Sequence, residues 1–133
     1  MPCAAGAYTR VSGAQEAIAA LQGMRINYAS YEGELHELVA QALDSAGITY
    51  ARERRIAPGC RVDFLLCDGT ILEVKKQKPT RSLVLQQLRR YAACEAVSAM
   101  VLVSPKGINA LPGSILGKPL YAVALLPLWG IAL

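Results

Sequence analysis

The sequence is poor in the residues that build zinc or iron–sulfur sites. It has one histidine, His36, and four cysteines, Cys3, Cys60, Cys67 and Cys94, none of them in a CxxC pair. A zinc finger is excluded, because it needs two sets of closely spaced ligands. The cysteines are not bunched as a cluster would require. They read as reduced thiols of a cytoplasmic protein. Aromatic residues are scarce too: one Phe, one Trp and six Tyr. That leaves no platform on which bases would stack. A charged start followed by a sustained apolar block is missing, so no signal peptide is expected. The apolar run over 120–133 is shorter than the roughly 20 residues of a membrane helix and contains Pro127. It is expected to be a buried strand plus an apolar tail, with no membrane partner. Internal repeats and low-complexity segments are absent.

What is present suits one domain. The 133 residues are 53% hydrophobic, enough for a core and too apolar for disorder. The net charge of +4 is small, but ten of the fourteen Lys and Arg lie between Arg52 and Arg90, among only four acids, Glu53, Asp63, Asp68 and Glu73. A locally basic segment favours a polyanionic partner.

Along the chain, residues 1–30 read as a leader with a short helix over 12–24, capped by Ser12, with Ile18, Leu21 and Met24 on one side. Residues 31–46 form a stronger helix whose apolar stripe is Leu35, Leu38, Val39, Ala42 and Ala46, ended by Gly47. Three strands follow, over 48–56, 60–66 and 70–76, with Pro58-Gly59 as the first turn. A helix over 81–94, capped by Thr80, comes next. Residues 98–103 make a continuous apolar strand of the kind buried in a sheet centre. A loop with Pro105, Gly107, Pro112 and Gly113 leads to a last strand over 119–126. This order predicts an α/β domain with a mixed sheet flanked by helices, spanning residues 31–133.

The turn between the second and third strands decides the chemistry. Glu73 and Lys75 share one face of their strand, as Asp63 and Leu65 do of theirs, while Val62, Phe64 and Leu66 point the other way. A two-residue turn at Asp68-Gly69 sets Phe64 against Glu73. A three-residue turn, Cys67-Asp68-Gly69, sets Asp63 against Glu73 and Phe64 against Leu72, with glycine at the left-handed position. The hydrophobic pattern and the glycine both select the second register. Two carboxylates then stand about 5 Å apart at their β-carbons. Such a pair asks for a cation, and hard oxygen ligands favour Mg²⁺ or Mn²⁺. Lys75, on the same face, is placed to polarise a water or to stabilise charge on a phosphate.

Asp63 followed after nine residues by Glu73-Val74-Lys75 resembles the D…ExK signature of the PD-(D/E)xK nucleases. Hydrophobic strands around each acid and a helix on either side strengthen the resemblance, which covers about residues 31–104. Gln87 and Tyr91, four apart on one helix face, resemble the QxxxY element of the RecB-type and phage-exonuclease branches. The resemblance implies a restriction-endonuclease-like αβββαβ core. It also implies Mg²⁺- or Mn²⁺-dependent hydrolysis of DNA, with Asp63, Glu73 and the Val74 carbonyl on the metal and Lys75 beside the nucleophilic water. Gln87 and Tyr91 would position substrate and ligands.

A first-helix acid completes the family pattern. Glu34 and Glu37 are both present; Glu34 flanks the apolar stripe by about 100° and Glu37 points nearly away, so Glu34 is preferred. In one branch of the family the equivalent position lands on His36 instead. Arg52, Arg54, Arg55, Lys76, Lys78, Arg81, Arg89 and Arg90 are expected to touch phosphates rather than base edges. The small size resembles junction resolvases and phage or mobile-element nucleases, and a homodimer through the apolar tail would enlarge the grip on a duplex. The rival expectation is a non-catalytic nucleic-acid-binding or assembly protein with the same fold. Endo- or exonuclease action, DNA or RNA, and branched or linear substrate all stay open.

Overall fold

The structure, a computed structural model, describes residues 12–23, 35–76, 80–108 and 110–125. Its elements follow the chain as α1 (Gly13–Gly23), α2 (Leu35–Ser45), β1 (Tyr50–Ala57), β2 (Cys60–Leu66), β3 (Thr70–Val74), α3 (Arg81–Ala92), β4 (Ala99–Ser104), β5 (Ser114–Ile115) and β6 (Lys118–Ala124). The strands form one mixed six-stranded sheet in the order β1-β2-β3-β4-β6-β5. β1, β2 and β3 are an antiparallel meander, and β3, β4 and β6 run parallel. Parallel neighbours need a crossover, which α3 supplies between β3 and β4.

Two apolar clusters sandwich the sheet. On one side α1 and α2 pack on Phe64, Leu66, Leu72, Val74, Val101 and Val103. On the other, α3 packs Val84, Leu88 and Tyr91 on Val62, Ile71, Met100 and Leu102. β4 is therefore buried along its whole length, as its unbroken apolar run predicts. Phe64 is the hub of the first cluster. It is fully buried, meets the Tyr50 ring edge-on at 5.4 Å, and carries the Arg52 guanidinium over its face at 5.5 Å. Burying such a ring is worth about 2–3 kcal/mol.

The helix ends follow local chemistry. Ser12 and Gln15 cap α1 reciprocally, the Gln15 N–H donating to Ser12 Oγ and the Ser12 N–H to Gln15 Oε1. The buried stripe of α1 is Ala14, Ala17 and Leu21, with Ile18 at its edge, so this helix belongs to the core packing; Met24 lies outside the described residues. Gly47, at φ 72°, ends α2 in a paired cap: its N–H donates to the Asp44 carbonyl and that of Ile48 to the Leu43 carbonyl. Thr80 stands at the N-cap of α3, but its side chain makes no capping bond.

Three features depart from expectation. Leu116 and Gly117, both at positive φ, turn the supposed loop into a tight hairpin that pairs β5 with β6. A leucine in a left-handed turn gives no turn signal, so the hairpin was hidden. Cys60 and Cys94 are free thiols, but Cys67 is disulfide-bonded, against the expectation of four reduced cysteines. Spacing along a chain does not say which sulfurs meet. The alternation of β2 also breaks. Val62 packs on the α3 side, whereas Phe64 and Leu66 pack on the α2 side, so β2 changes face across Asp63. Among the described residues no helix is long and apolar enough to cross a membrane; the tail over 126–133 lies outside them.

The β2–β3 turn holds the rest in register. Phe64 pairs with Leu72 and Leu65 with Ile71, the register of the three-residue turn. The Gly69 N–H donates to the Leu66 carbonyl, and Asp68 accepts from the Thr70 N–H through Oδ1 and from the Gly13 N–H through Oδ2. Gly69 sits at φ 90°, and a β-carbon there would lie 2.5 Å from the Ala96 carbonyl oxygen. Both the left-handed backbone and that clash bar other residues. Gly69→Ala is expected to destabilise the protein by about 2–4 kcal/mol, measured as a lower denaturant midpoint at unchanged slope.

Candidate active site

The site is made where β2 and β3 separate. Their paired residues run to Phe64 and Leu72. One step further the register sets Asp63 across from Glu73, and there side chains replace the ladder. The Asp63 N–H donates to Glu73 Oε1 at 3.0 Å, and the Val74 N–H donates to Asp63 Oδ2 at 2.7 Å. Main-chain donors that a continuous sheet would have paired are instead satisfied by the two carboxylates. On its other edge β3 stays tied to β4, the Lys75 N–H donating to the Val103 carbonyl at 2.8 Å. Since the N–H and C=O of one strand residue point the same way, the Val74 carbonyl faces the gap that holds Asp63.

Glu73 is 3% exposed, one of few buried polar residues. Burial raises its carboxyl to about 7, helped by the charge of Asp63 and opposed by the Asp63 N–H and by Lys75. Lys75 Nζ lies 3.6 Å from Glu73 Oε2, on the same side of the strand as the sequence requires.

Helix α3 fixes the lysine. Lys75 Nζ donates to Gln87 Oε1 at 2.6 Å, Gln87 Nε2 donates to Tyr91 Oη at 2.9 Å, and Tyr91 Oη donates to the Arg61 carbonyl at 2.8 Å. The Tyr91 hydroxyl is raised above its ordinary value by burial and by the charge of Glu73, so it stays a donor. The relay starts at the ammonium of Lys75 and ends on β2, two residues before Asp63. Gln87 thus holds Lys75 rather than an acid.

Helix α2 enters from the opposite side. His36 Nε2 lies 3.3 Å from Asp63 Oδ2, with both side chains about a quarter exposed. Glu37 turns away and pairs with Arg52 at 2.7 Å. Glu34, the preferred first-helix residue, lies outside the described residues. Among the described residues, His36 is the first-helix residue that meets Asp63. The signal for it in the sequence was the resemblance to one branch of the family, in which the equivalent position lands on His36.

The oxygens suit a hard divalent cation: two carboxylates, one of them buried with its charge disfavoured, and a main-chain carbonyl facing the same gap. The imidazole of His36 adds a nitrogen donor at the edge. Among the described residues no three His, Cys, Asp or Glu side chains form a ready-made cage, so the fit rests on the acid pair and main-chain oxygen.

The basic residues are scattered. Arg54, Arg55 and Lys76 are exposed, while Arg52 is tied to Glu37. On α3, Arg81 donates to the Ala110 carbonyl through Nε and Nη2, and Arg89 and Arg90 stand exposed in the last turn. Lys78 lies outside the described residues. No family model matches the chain, and no curated protein or solved structure matches it either.

The buried acid has a measurable cost. Its raised value means the folded state holds a proton that the unfolded chain has released. Without metal, the contribution of the Glu73 carboxyl to stability is therefore fully present below about pH 4.5, the ordinary value, and is lost as pH rises through about 7. Glu73→Gln is expected to flatten that profile and to stabilise the metal-free protein at pH 8 by on the order of 2 kcal/mol. Denaturant titrations of both proteins between pH 4 and 8 check it; parallel profiles would disprove the assignment.

Proposed function

We propose that the protein is a metal-dependent deoxyribonuclease with a PD-(D/E)xK-type site, its α2-β1-β2-β3-α3-β4 order serving as the αβββαβ core of that superfamily. The observation that carries the reading is the meeting of Asp63 and Glu73 in the gap between β2 and β3, with Lys75 held beside them by Gln87. Two acids forced together at a partly buried point are costly for stability alone, and a divalent cation is the partner that removes the cost. Magnesium or manganese, when bound, supplies an activated water and polarises the phosphate.

The chain's own groups then have distinct tasks. Asp63, Glu73 and the Val74 carbonyl hold the ion, and His36 takes the first-helix role for which Glu34 and Glu37 were the other candidates. Lys75 keeps its ammonium where the attacking water and the developing phosphate charge meet. Gln87 and Tyr91 set the direction of Lys75 and brace it against β2. The exposed cations of β1 and α3 meet the phosphate backbone, so binding is salt-dependent and indifferent to base sequence.

One observation favours the rival, a nucleic-acid-binding or assembly protein without catalysis. His36 and Lys75 already neighbour Asp63 and Glu73, so the acids have partial partners of their own.

A single assay separates the readings. Linear, circular and four-way DNA are incubated with Mg²⁺, Mn²⁺ or chelator, for the wild type, Asp63→Ala and Lys75→Ala. Cleavage is expected only with metal, and each variant is expected to lose about 10²-fold or more in rate. Cleavage that ignores chelator, or full-rate variants, would remove the nuclease assignment from this site. Tight DNA binding with no cleavage of any substrate would establish the rival.

A further inference from the structure

We propose that Arg55 and Arg61 form a phosphate subsite that grips the nucleic-acid strand beside the acids; its place next to a cleaved bond rests on the nuclease reading. The two arginines are direct partners across the β1–β2 ladder. Arg61 lies between Cys60 and Val62, which both pack on the α3 side, so Arg61 and its partner Arg55 face the other way. Both are exposed, and neither meets a carboxylate among the described residues. The neighbouring β1 arginines are placed differently: Arg52 is held by Glu37, and Arg54 stands opposite Val62.

Like charges directly opposed across a ladder destabilise it. Edge protection accounts for a charge on Arg55, since β1 is an edge strand, but not for a second cation set directly opposite it on β2. An anion lying between the two guanidinium groups turns the repulsion into attraction. The planar forks match the oxygens of a phosphate, which a lysine pair would meet only as point charges.

Position names the anion. Arg61 precedes Asp63 by two residues, about 7 Å along a strand, a distance of the order of the step between neighbouring phosphates on one strand. The face that carries Arg55 and Arg61 is the α2 side, from which His36 reaches Asp63. A strand crossing the β1–β2 hairpin on that side passes the arginine pair and then the acids. The subsite reads charge and shape, not bases, so it takes any phosphodiester strand.

The test uses a fluorescent single-stranded oligodeoxynucleotide with chelator present, so that binding is read without cleavage. Anisotropy titrations over roughly 50–200 mM salt compare the wild type, Arg55→Gln/Arg61→Gln and Arg55→Lys/Arg61→Lys. The glutamine variant is expected to bind about tenfold more weakly at low salt, with a log–log salt slope shallower by about 0.7, the share of one single-strand phosphate. The lysine variant is expected to regain the slope and only part of the affinity. Thermal unfolding checks that each variant is folded, and Arg61→Gln alone replaces any double variant that is not. A glutamine variant with the slope and affinity of the wild type would overturn the subsite. If the slope falls as expected but the wild type cleaves nothing with metal, the subsite stands and the nuclease reading fails. A wild type that binds no oligonucleotide overturns both.

Discussion

Asp63 and Glu73 repel each other, and the fold holds them together at the place where two strands part. Each carboxylate accepts a main-chain N–H from the opposite strand, so the repulsion is anchored rather than relieved. Glu73 is buried deeply enough that its proton is released only near pH 7. A pair like this costs stability, and such costs persist where surrounding packing over-determines them. Here the packing comes from both faces of the sheet. Leu72 and Val74 are locked in one core and Ile71 in the other, so β3 cannot move to let Glu73 out.

The other polar side chains are arranged about that pair. His36 arrives from α2 and Lys75 from β3 itself, while α3 orients the lysine through Gln87 and Tyr91. Helices from opposite layers normally touch opposite sheet faces and nothing in common. They converge here because β2 changes face at Asp63, which gives the carboxylate access to both layers. The irregularity extends to β1, where Glu53, the residue across from Asp63 in the ladder count, has φ 48°. Non-glycine residues adopt that conformation at an energetic cost, so the backbone strain and the electrostatic strain sit side by side.

Away from the gap, the same economy of parts recurs at the β2–β3 turn. Asp68 binds the turn through one oxygen and the first turn of α1 through the other, and its backbone carbonyl accepts the hydroxyl of Ser98 before β4. Its carboxyl, raised by partial burial, is lowered overall by the donors of Thr70 and Gly13. Any acid that weakens this anchor loosens the register on which the meeting of Asp63 with Glu73 depends.

Much of this was legible in the sequence. The hydrophobic alternation of residues 64–66 and 70–74, together with Gly69, determined the register and hence the meeting of Asp63 with Glu73, because side-chain faces alternate with a fixed period of two next to the turn and a left-handed turn position demands glycine. The four-residue spacing of Gln87 and Tyr91 determined their common helix face, and Gly47 determined the end of α2. Tertiary structure alone decided that His36 reaches Asp63, that Gln87 binds Lys75 rather than an acid, that Val62 turns to the α3 side, and that Arg55 and Arg61 stand opposed. Each of these depends on how two layers approach a locally irregular strand, and a sequence period carries no information once the strand stops obeying it.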